Sequence, residues 1–486
     1  MLGDDVLYMT VEELGTQIRA RKISPVELAE SYLARLEKLG PKVGAVATLT
    51  RELALEQARA AEREIAAGKY RGPLHGVPYG AKDLLATRGI PTTWGAPPFK
   101  DRVFDFDATV VRKLREAGAV LLAKLAMIEL AGGGGYNSAA ASLQGPSRCP
   151  YNLDHWAGGS SSGPGASTPS ALVGFSIGSE TLGSIITPCA FSGVSGLRPT
   201  YGRVSRHGAM ALSWTMDKLG PMCRSAADCA LVLAAVAGHD PDDASSLNAP
   251  FTWKRPAKSA KPLAGKRIGV IQPSGQVNEE VRGMFSAALD VLRGLGAALE
   301  ETELPDYPYG TIASVLIAAE GATIFRPLIE SGRVQELLDE RQKIGLISSL
   351  ETKATDYLDA CRVRTECLPA LAKVFEKYDA LVSLSRTGPA SRVDRDFDAP
   401  PPGARPPEER PPAPPPAPGA GQRRNLIGAS NIAGLPALSV PCGFMKETNL
   451  PIGIQFVADA LRDDVCLELG VAYQSVTDWH RRRPSL

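Results

Sequence analysis

Two glycine-framed groups of serines have the residue types of a nucleophilic site. The first, GGSSSG, places Ser160, Ser161 and Ser162 in a row, and the second, GSETLGSI, carries Ser184. A serine hydroxyl attacks a carbonyl group efficiently only when a neighbouring group accepts its proton. A histidine, or a lysine kept neutral by burial, can be that base. The pattern therefore indicates acyl-transfer chemistry and leaves the identity of the base open.

A flexible linker is the simplest alternative for the first serine group. A linker would be followed by a new domain, but the chain continues with apolar, strand-forming residues such as Leu172, Val173, Phe175 and Ile177. Glycines inside such a segment mark backbone that adopts unusual torsions or closely approaches another group. We therefore place the serines inside a core-forming segment.

A nucleophile elbow is a second alternative, because Gly159 to Gly163 formally matches G-x-S-x-G with Ser161 at its centre. An elbow follows an apolar strand, whereas the preceding RCPYNLDHWA is polar and irregular. His207, His239 and His480 are the histidines downstream of it. This context disfavours the elbow and leaves a Ser-Lys arrangement as the stronger hypothesis, since it needs no histidine.

Several ordered motifs are similar to those of one hydrolase family. They are GVPYGAKD around Lys82, GGSSSG, GSETLGSI, SGVSGLRPTYGRVSRHGA, DKLGPMCRSAADCALVL, NIAGLPALSVPCGF and LPIGIQF. In these motifs the chain resembles the amidase signature hydrolases. The resemblance runs over about residues 10–476 and is weak between 300 and 420. A long, ordered set of motifs is more specific than a single glycine loop, so the resemblance favours an amidase.

The resemblance assigns three catalytic roles. Lys82 would be the base, Ser160 a relay that follows a cis peptide bond, and Ser184 the nucleophile that carries the acyl group. Protons would pass from Ser184 through Ser160 to neutral Lys82 and return to the leaving amine. Ser161 would supply a supporting hydrogen bond. Asp83 would fix the local backbone rather than titrate.

The resemblance also implies an oxyanion hole formed by backbone N–H groups of Thr181, Leu182, Gly183 and Ser184. The family usually has glycine where Leu182 stands. A leucine resists positive φ and adds bulk, so this position puts the shape of the hole and of the acyl pocket in question. Ile186 is another departure, since many members carry arginine there.

Residues near AGGGGYNS resemble the substrate-side loop of the family. We take Met127, Gly132, Gly133 and Gly134 as candidate substrate-binding residues. The consecutive glycines equally fit a flexible turn.

Secondary-structure signals predict an α/β fold in which helices cover both faces of a central mixed sheet, as in the amidase signature fold. Capping boxes at Thr10 with Glu13 and at Ser24 with Glu27 predict two successive helix starts. Helix-like and strand-like segments then alternate along the chain. A short strand is expected to enter a loop that carries Lys82.

Composition restricts the partners. With 54 Lys plus Arg against 53 Asp plus Glu, the formal charge of +1 provides no global field for nucleic acid or an anionic membrane. The first residues lack the basic and apolar regions of a secretion signal, and the eight cysteines form no C-x-x-C pair. We expect a cytoplasmic protein with no metal site, no cofactor and no membrane partner. A homo-oligomer is possible.

One domain is predicted over residues 1–486, interrupted by a proline-rich loop or insertion at 399–421. Eleven of the 19 positions from Pro400 to Pro418 are proline, which removes the donors a β-ladder needs. The segment is expected to be an exposed spacer rather than a recognition motif.

The sequence leaves three candidate functions. The main hypothesis is a hydrolase that converts a linear carboxamide, or a related aryl amide, ester or carbamate, to acid and amine through acyl-Ser184. The alternative resembles the A subunit of glutamyl-tRNA amidotransferase, which releases ammonia from glutamine for a partner protein. The third function, a non-catalytic binding protein that uses the proline-rich segment, is hard to reconcile with Lys82, Ser160 and Ser184 together.

Overall fold

A mixed sheet of eleven strands runs through the described part of the chain, which in this computed structural model comprises residues 1–256, 259–275, 277–397 and 422–486. The strands are β1 Val46–Leu49, β2 Pro78–Lys82, β3 Val120–Leu125, β4 Arg148–Cys149, β5 Asn152–Trp156, β6 Phe175–Glu180, β7 Ser195–Arg198, β8 Lys218–Cys223, β9 Arg267–Val270, β10 Ala298–Glu301, β11 Ala380–Leu384, β12 Ala437–Phe444 and β13 Pro451–Val457. The order in the large sheet is β1-β3-β2-β6-β8-β7-β12-β13-β11-β9-β10, and β4 pairs with β5 separately. The predicted proline-rich loop at 399–421 lies outside the described residues.

Helices follow or precede most of these strands. The α-helices are α1 Asp4–Leu7, α2 Val11–Arg19, α3 Pro25–Val43, α4 Arg51–Ala66, α5 Thr109–Glu116, α6 Ser162–Ser167, α7 Ile186–Ser192, α8 Ala226–Val236, α9 Glu279–Gly294, α10 Tyr309–Glu330, α11 Glu340–Ser349, α12 Ala354–Lys377, α13 Leu426–Ile432 and α14 Asp463–Gln474. Short 3₁₀ helices are Pro97–Phe99, Glu129–Gly132, Arg333–Glu336, Gln422–Arg424 and Trp479–Arg481. The predicted α/β fold is confirmed.

Both faces of the sheet are covered. In β12, Leu438 and Val440 face α14, where Gly470 allows the close approach. On the opposite face, Gly453 of β13 packs against Ala190 of α7. Because side chains alternate along a strand, β12 and β13 must be apolar on both sides, and their residues are buried throughout.

Helix starts follow the capping signals. Thr10 accepts a hydrogen bond from Glu13 N at 3.2 Å, and Glu13 Oε2 accepts one from Thr10 N at 2.8 Å, which confirms the first capping box. Ser24 caps the next helix by accepting from Val26 N and Glu27 N. These caps begin α2 and α3 at the predicted residues.

Helix α10 is long and apolar enough to cross a membrane by length and composition, with a mean hydropathy of 1.6 in its most apolar window. That window is 44% buried inside the protein. Ile312, Ala313 and Leu316 belong to a cluster of buried apolar residues that also includes residues of α12 and α13. Among the described residues, α10 therefore serves as a core helix of this cluster.

The serine-rich segment folds into a short helix between two strands. Helix α6 places Pro164 in its first turn, where a missing N–H breaks no intrahelical bond, and Pro169 follows the end of the helix. Strand β6 then begins at Phe175, within the apolar run noted in the sequence. The serines therefore precede a buried strand of the central sheet.

Candidate active site

Lys82 is the last residue of β2 and its side chain is fully buried. Its Nζ lies 2.8 Å from Ser160 Oγ, 3.0 Å from Ser161 Oγ and 2.9 Å from Ser179 Oγ. Strand β2 pairs in parallel with β6, with Ala81 opposite Ile177, so the ends of both strands meet at one edge of the sheet. This pairing brings Lys82 to serines that lie far from it in the sequence.

Glycines allow the serine segment to approach Lys82. The Gly159–Ser160 peptide bond is cis, as the resemblance implied. Gly158 has φ +87°, and a Cβ there would lie 2.5 Å from Pro188 Cα. At Gly163 a Cβ would lie 2.4 Å from Ala126 N. Larger residues would displace the segment, so the glycines frame the serines for steric reasons.

Hydrogen-bond directions distinguish Ser160 from Ser161. The Ser161 hydroxyl donates to Ser179 O at 3.1 Å and accepts from Ser179 N at 3.2 Å. A hydroxyl has one proton, so Ser161 can only accept from Lys82. Among the described residues, Ser160 Oγ is hydrogen-bonded to Lys82 alone. Ser160 is therefore free to give its proton to the amine.

Burial prepares Lys82 to accept a proton. The loss of water around Nζ lowers the pKa of Lys82 to about 7, although the negative charges of Asp217 and Glu180 act in the opposite direction. A neutral amine has two N–H donors and one lone pair, so it can donate to two of the three surrounding hydroxyls and accept from the third. The site can thus hold a general base near neutral pH.

Ser184 lies beside this cluster and is 8% exposed. Its carbonyl oxygen accepts a hydrogen bond from Ser161 N at 3.3 Å, which joins the two serine segments. Among the described contacts, Ser184 Oγ and Ser160 Oγ are not hydrogen-bonded to each other. Catalytic hydrogen bonds commonly tighten only when substrate is bound, and a proton relay here requires that closer approach.

The turn from Thr181 to Ser184 offers backbone donors. Gly183 has φ +86°, while Leu182 does not have a positive φ, so leucine fits its position without backbone strain. In the described structure, no protein acceptor receives a hydrogen bond from the N–H groups of Leu182, Gly183 and Ser184. The neighbouring N–H groups of Ile185 and Ile186 are bound by Glu180. The free donors have the character of an oxyanion hole.

Glu180 fixes the turn from Thr181 to Ser184 through hydrogen bonds of its carboxylate. Its Oε2 accepts hydrogen bonds from Ile185 N at 2.8 Å and Ile186 N at 3.0 Å, and so caps α7. Its Oε1 accepts from Arg198 Nη1 at 2.8 Å and from Asn431 Nδ2 at 2.9 Å. Burial alone would raise the pKa of Glu180, but above all the charge of Arg198 holds it at about 2. Glu180 is therefore a buried carboxylate.

Asp217 holds the other end of the turn. Its Oδ1 accepts from Thr181 Oγ1 at 2.6 Å, and its Oδ2 accepts from Leu212 N at 2.8 Å and Ser213 N at 3.0 Å. Lys218 donates to Asn431 Oδ1 at 2.8 Å, and burial places the pKa of Lys218 far below its usual value. The turn from Thr181 to Ser184 is thus held by buried polar contacts with Glu180 on one side and with Asp217 on the other.

Two cavities flank the turn. One of about 210 Å³ reaches Ser179 and Thr181, and its wall combines apolar residues with the charged residues Arg206, Asp217, Asp242 and Asp243. That wall includes Leu84, Ala131, Met210, Leu212, Trp214 and Leu219. The second, of about 480 Å³, has Leu182 in its wall. Each cavity therefore borders one residue of the turn from Thr181 to Ser184.

The predicted substrate-side residues form packing contacts. Met127 is fully buried. A Cβ at Gly133 would lie 2.7 Å from Leu212 Cδ1, and Gly134 N donates to Gln342 Oε1 at 2.8 Å. Gly132 has φ +85°. In the described structure Ala131, rather than these four residues, lines the smaller cavity, and their binding role stays a prediction.

Asp83 has a structural environment. It is fully buried, its Oδ1 lies 3.1 Å from Lys124 Nζ, and its Oδ2 accepts from Thr93 N at 2.9 Å. It therefore fixes the backbone that follows Lys82, which is the place expected from the sequence. Its supporting role at the site stays a prediction.

Sequence reasoning missed the residues that hold the site in place. Ser179, Glu180, Arg198, Lys218 and Asn431 are all buried around the turn. The available signal was a charged or amide residue inside otherwise apolar, glycine-rich motifs such as GSETLGSI and SGLRP. A charge in such a segment must be paired inside the fold.

Comparison with known sequences identifies a matching family model and relatives that are similar over nearly the whole chain. The family model for Amidase matches residues 27–467. The A subunit of glutamyl-tRNA(Gln) amidotransferase from Moorella thermoacetica is 36% identical, with 99% of each chain covered. The corresponding protein of Thermosynechococcus vestitus is 34% identical, with 98% of this chain and 99% of the relative covered.

Among solved structures, the peptide amidase of Stenotrophomonas maltophilia superposes with a TM-score of 0.83 at 29% identity, with 98% of each chain covered. The A subunit of glutamyl-tRNA(Gln) amidotransferase from Thermotoga maritima gives a TM-score of 0.77 at 26% identity, with 100% of this chain and 98% of that chain covered. Fold, motifs and full-length similarity agree, and the chain therefore belongs to the amidase signature family.

Proposed function

We propose that this chain cleaves a carboxamide through an acyl-Ser184 intermediate, with Lys82 as base and Ser160 as relay. The observation that carries the proposal is the buried Lys82 Nζ, which lies 2.8 Å from a Ser160 hydroxyl that has no other described partner. Burial favours the neutral amine that the relay requires.

In the acylation step, Ser160 gives its proton to Lys82 Nζ and takes the proton of Ser184 Oγ. The Ser184 oxygen then bonds to the amide carbon, and the carbonyl oxygen becomes an oxyanion beside the N–H groups of Leu182, Gly183 and Ser184. When the intermediate collapses, the C–N bond breaks. The proton returns from Lys82 through Ser160 to the nitrogen, so ammonia or an amine leaves.

In the deacylation step, water attacks the acyl-Ser184 ester and the same relay removes its proton. The ester bond breaks, the carboxylic acid leaves, and Ser184 recovers its proton. The net reaction consumes one water and yields acid and amine.

The relatives favour an amidotransferase A subunit as the finer function. Eight curated relatives with that name are 33–36% identical and match nearly the whole length of this chain. In that role the amide is glutamine, the leaving group is ammonia, and the chain works with partner subunits. This alternative has more support than an independent amidase.

An independent amidase for linear amides is the second candidate. The apolar part of the smaller cavity's wall favours it, because Ala131, Met210 and Leu212 can pack against an acyl chain. The peptide amidase of similar fold supports the same possibility.

Ammonia release from glutamine, measured for the purified chain with and without amidotransferase partner subunits and tRNA, tests the two candidates. Glutamine turnover that appears only with the partners supports the amidotransferase role. Hydrolysis of anilides or aliphatic amides by the chain alone, with no response to partners, supports the independent amidase. If no amide is hydrolysed and a fluorophosphonate does not label Ser184, the shared mechanism is wrong.

A further inference from the structure

We propose that the larger cavity beside the nucleophile turn binds a carboxylate of the substrate through Arg386. The inference rests on the proposed function, because it assigns a substrate class to the same site. It concerns the half of the amide that enters the cavity of about 480 Å³.

The cavity is positioned to receive part of the amide. Leu182, two residues before Ser184, is 36% exposed and lines it. The ends of β11 and β13 and the start of α13 form the remaining wall. The cavity therefore borders the turn that carries Ser184, and the inference places one half of the amide in this space.

The described lining is cationic. It includes Arg386 and Arg424 and contains no aspartate or glutamate. Arg424 is paired with Glu303 at 3.1 Å. Arg386 makes no ion pair or hydrogen bond with the described residues, although its side chain is accessible from the cavity. Arg386 is exposed to solvent, so its guanidinium is open to a ligand carboxylate in the cavity.

Arg386 is exposed on the cavity wall and, as an arginine, remains charged at neutral pH. A hydrogen bond between ionised groups is stronger than one between neutral groups. A planar guanidinium also binds a carboxylate through two parallel hydrogen bonds.

A second polar group of the cavity has a hydrogen-bond acceptor without a described partner. Gln455 Nε2 donates to Ser383 Oγ at 3.0 Å and to Leu384 O at 3.4 Å, which fixes the orientation of the amide because a carbonyl can only accept. Gln455 Oε1 is buried and has no described partner. It is available to an N–H group of the same ligand. Donors for a carboxylate and an acceptor for nitrogen therefore line one cavity.

Two matched pairs of amides test this inference. In the first pair the carboxylate is in the acyl half, and glutaramate is compared with pentanamide. In the second it is in the amine half, and N-butyryl-β-alanine is compared with N-butyrylpropylamine. We expect kcat/KM for one anionic amide to exceed that of its neutral partner by roughly 10- to 100-fold, the effect of a charged hydrogen bond. The pair that shows the preference identifies the half that enters the cavity.

Arg386→Gln should reduce this ratio by about 10-fold or more, and Arg386→Lys should retain part of it. Arg423→Gln is the matched control, because Arg423 is an exposed neighbour paired with Asp306 and does not line the cavity. Its ratio should equal that of the wild type. A wild-type ratio near one for both pairs, or an unchanged ratio in Arg386→Gln, would overturn the inference.

A binding measurement separates this inference from the catalytic proposal. In the Ser184→Ala background, calorimetric titration with glutaramate and N-butyryl-β-alanine should show at least a roughly 10-fold weaker Kd for the tighter ligand when Arg386→Gln is added. Equal affinities contradict the carboxylate subsite even if Ser184 is the nucleophile. Loss of affinity supports the subsite even if the assigned nucleophile is wrong.

Discussion

Thr181 Oγ1 donates a hydrogen bond to Asp217 Oδ1 at 2.6 Å, so the first residue of the turn that carries Ser184 is tied to a carboxylate that also acts on Lys82. The negative charge of Asp217 raises the pKa of Lys82, against the larger effect of burial. The turn and the proton acceptor are therefore coupled through one side chain.

Asp217→Asn should move the acidic limb of the pH profile of kcat/KM to lower pH. Removal of the negative charge leaves desolvation less opposed, and the pKa of Lys82 falls further. The pH dependence of acylation with a neutral amide checks this. Asp290→Asn, an exposed site paired with Arg293, should leave the limb in place. A limb that moves to higher pH would contradict the electrostatic argument.

In the wild type, acylation should increase with pH through a midpoint near 7, because Lys82 must lose a proton to act as base. Lys82→Met keeps an unbranched side chain in the buried site and should lower kcat/KM by roughly 10²–10⁴-fold. Stopped-flow acylation with an activated ester between about pH 5 and 9, a range that brackets this midpoint, measures both effects. Near-normal turnover by a folded Lys82→Met variant would show that another group is the base.

Ser160→Ala should slow acylation far more than Ser161→Ala. The Ser161 proton is already given to Ser179 O, so Ser161 serves as an acceptor and positions Lys82, whereas Ser160 can transfer a proton. A loss of roughly 10²-fold or more for Ser160→Ala and a smaller loss for Ser161→Ala are expected. Mass spectrometry after fluorophosphonate treatment should place the label on Ser184. A label on Ser161 would favour the nucleophile elbow.

Glu180→Gln should destabilise the fold by about 3 kcal/mol, because it leaves Arg198 as a buried charge without its anionic partner. Denaturant unfolding measures the change. Glu336→Gln, at an exposed pair with Arg333, should leave the unfolding midpoint close to that of the wild type. An equal effect of the two changes would show that the buried pair adds no net stability.

The same variant has a pH signature. The folded-state pKa of Glu180, about 2, is below its ordinary value of 4.5. The stabilising contribution is therefore fully present above pH 4.5 and is lost as pH falls toward 2. The difference in stability between wild type and Glu180→Gln should shrink over that interval.

Gly183→Ala should reduce activity more than Leu182→Ala. Gly183 has φ +86°, and a Cβ there would lie 3.1 Å from Thr187 Oγ1, so alanine distorts the turn that presents the N–H donors. Leu182→Ala removes only a side chain that projects into the larger cavity. Single-turnover acylation of both variants makes the comparison. If Leu182→Ala were the more damaging change, the role of the Gly183 turn would be wrong.

Local patterns such as helix caps predict the fold class, and the resemblance to the amidase signature hydrolases brings Lys82, Ser160 and Ser184 into one hypothesis. It predicts a loop for Lys82, whereas the residue ends β2, since pairing between β2 and β6 extends the strand to it. Pairing of distant strands is a tertiary effect. Ser179 and Asn431 were not predicted for the same reason. Their contacts with Lys82 and Glu180 join residues that lie far apart in the sequence.

The distant attachment of Glu180 also has a consequence for biosynthesis. Asn431 anchors Glu180, and Arg198 donates to Leu435 O at 2.9 Å, so the chain must be made through residue 435 before the turn from Thr181 to Ser184 acquires these supports. A ribosome-bound or truncated chain that ends before residue 431 carries the serines and the lysine without this scaffold. Such fragments are expected to lack amidase activity, because Glu180 and Arg198 have lost these contacts.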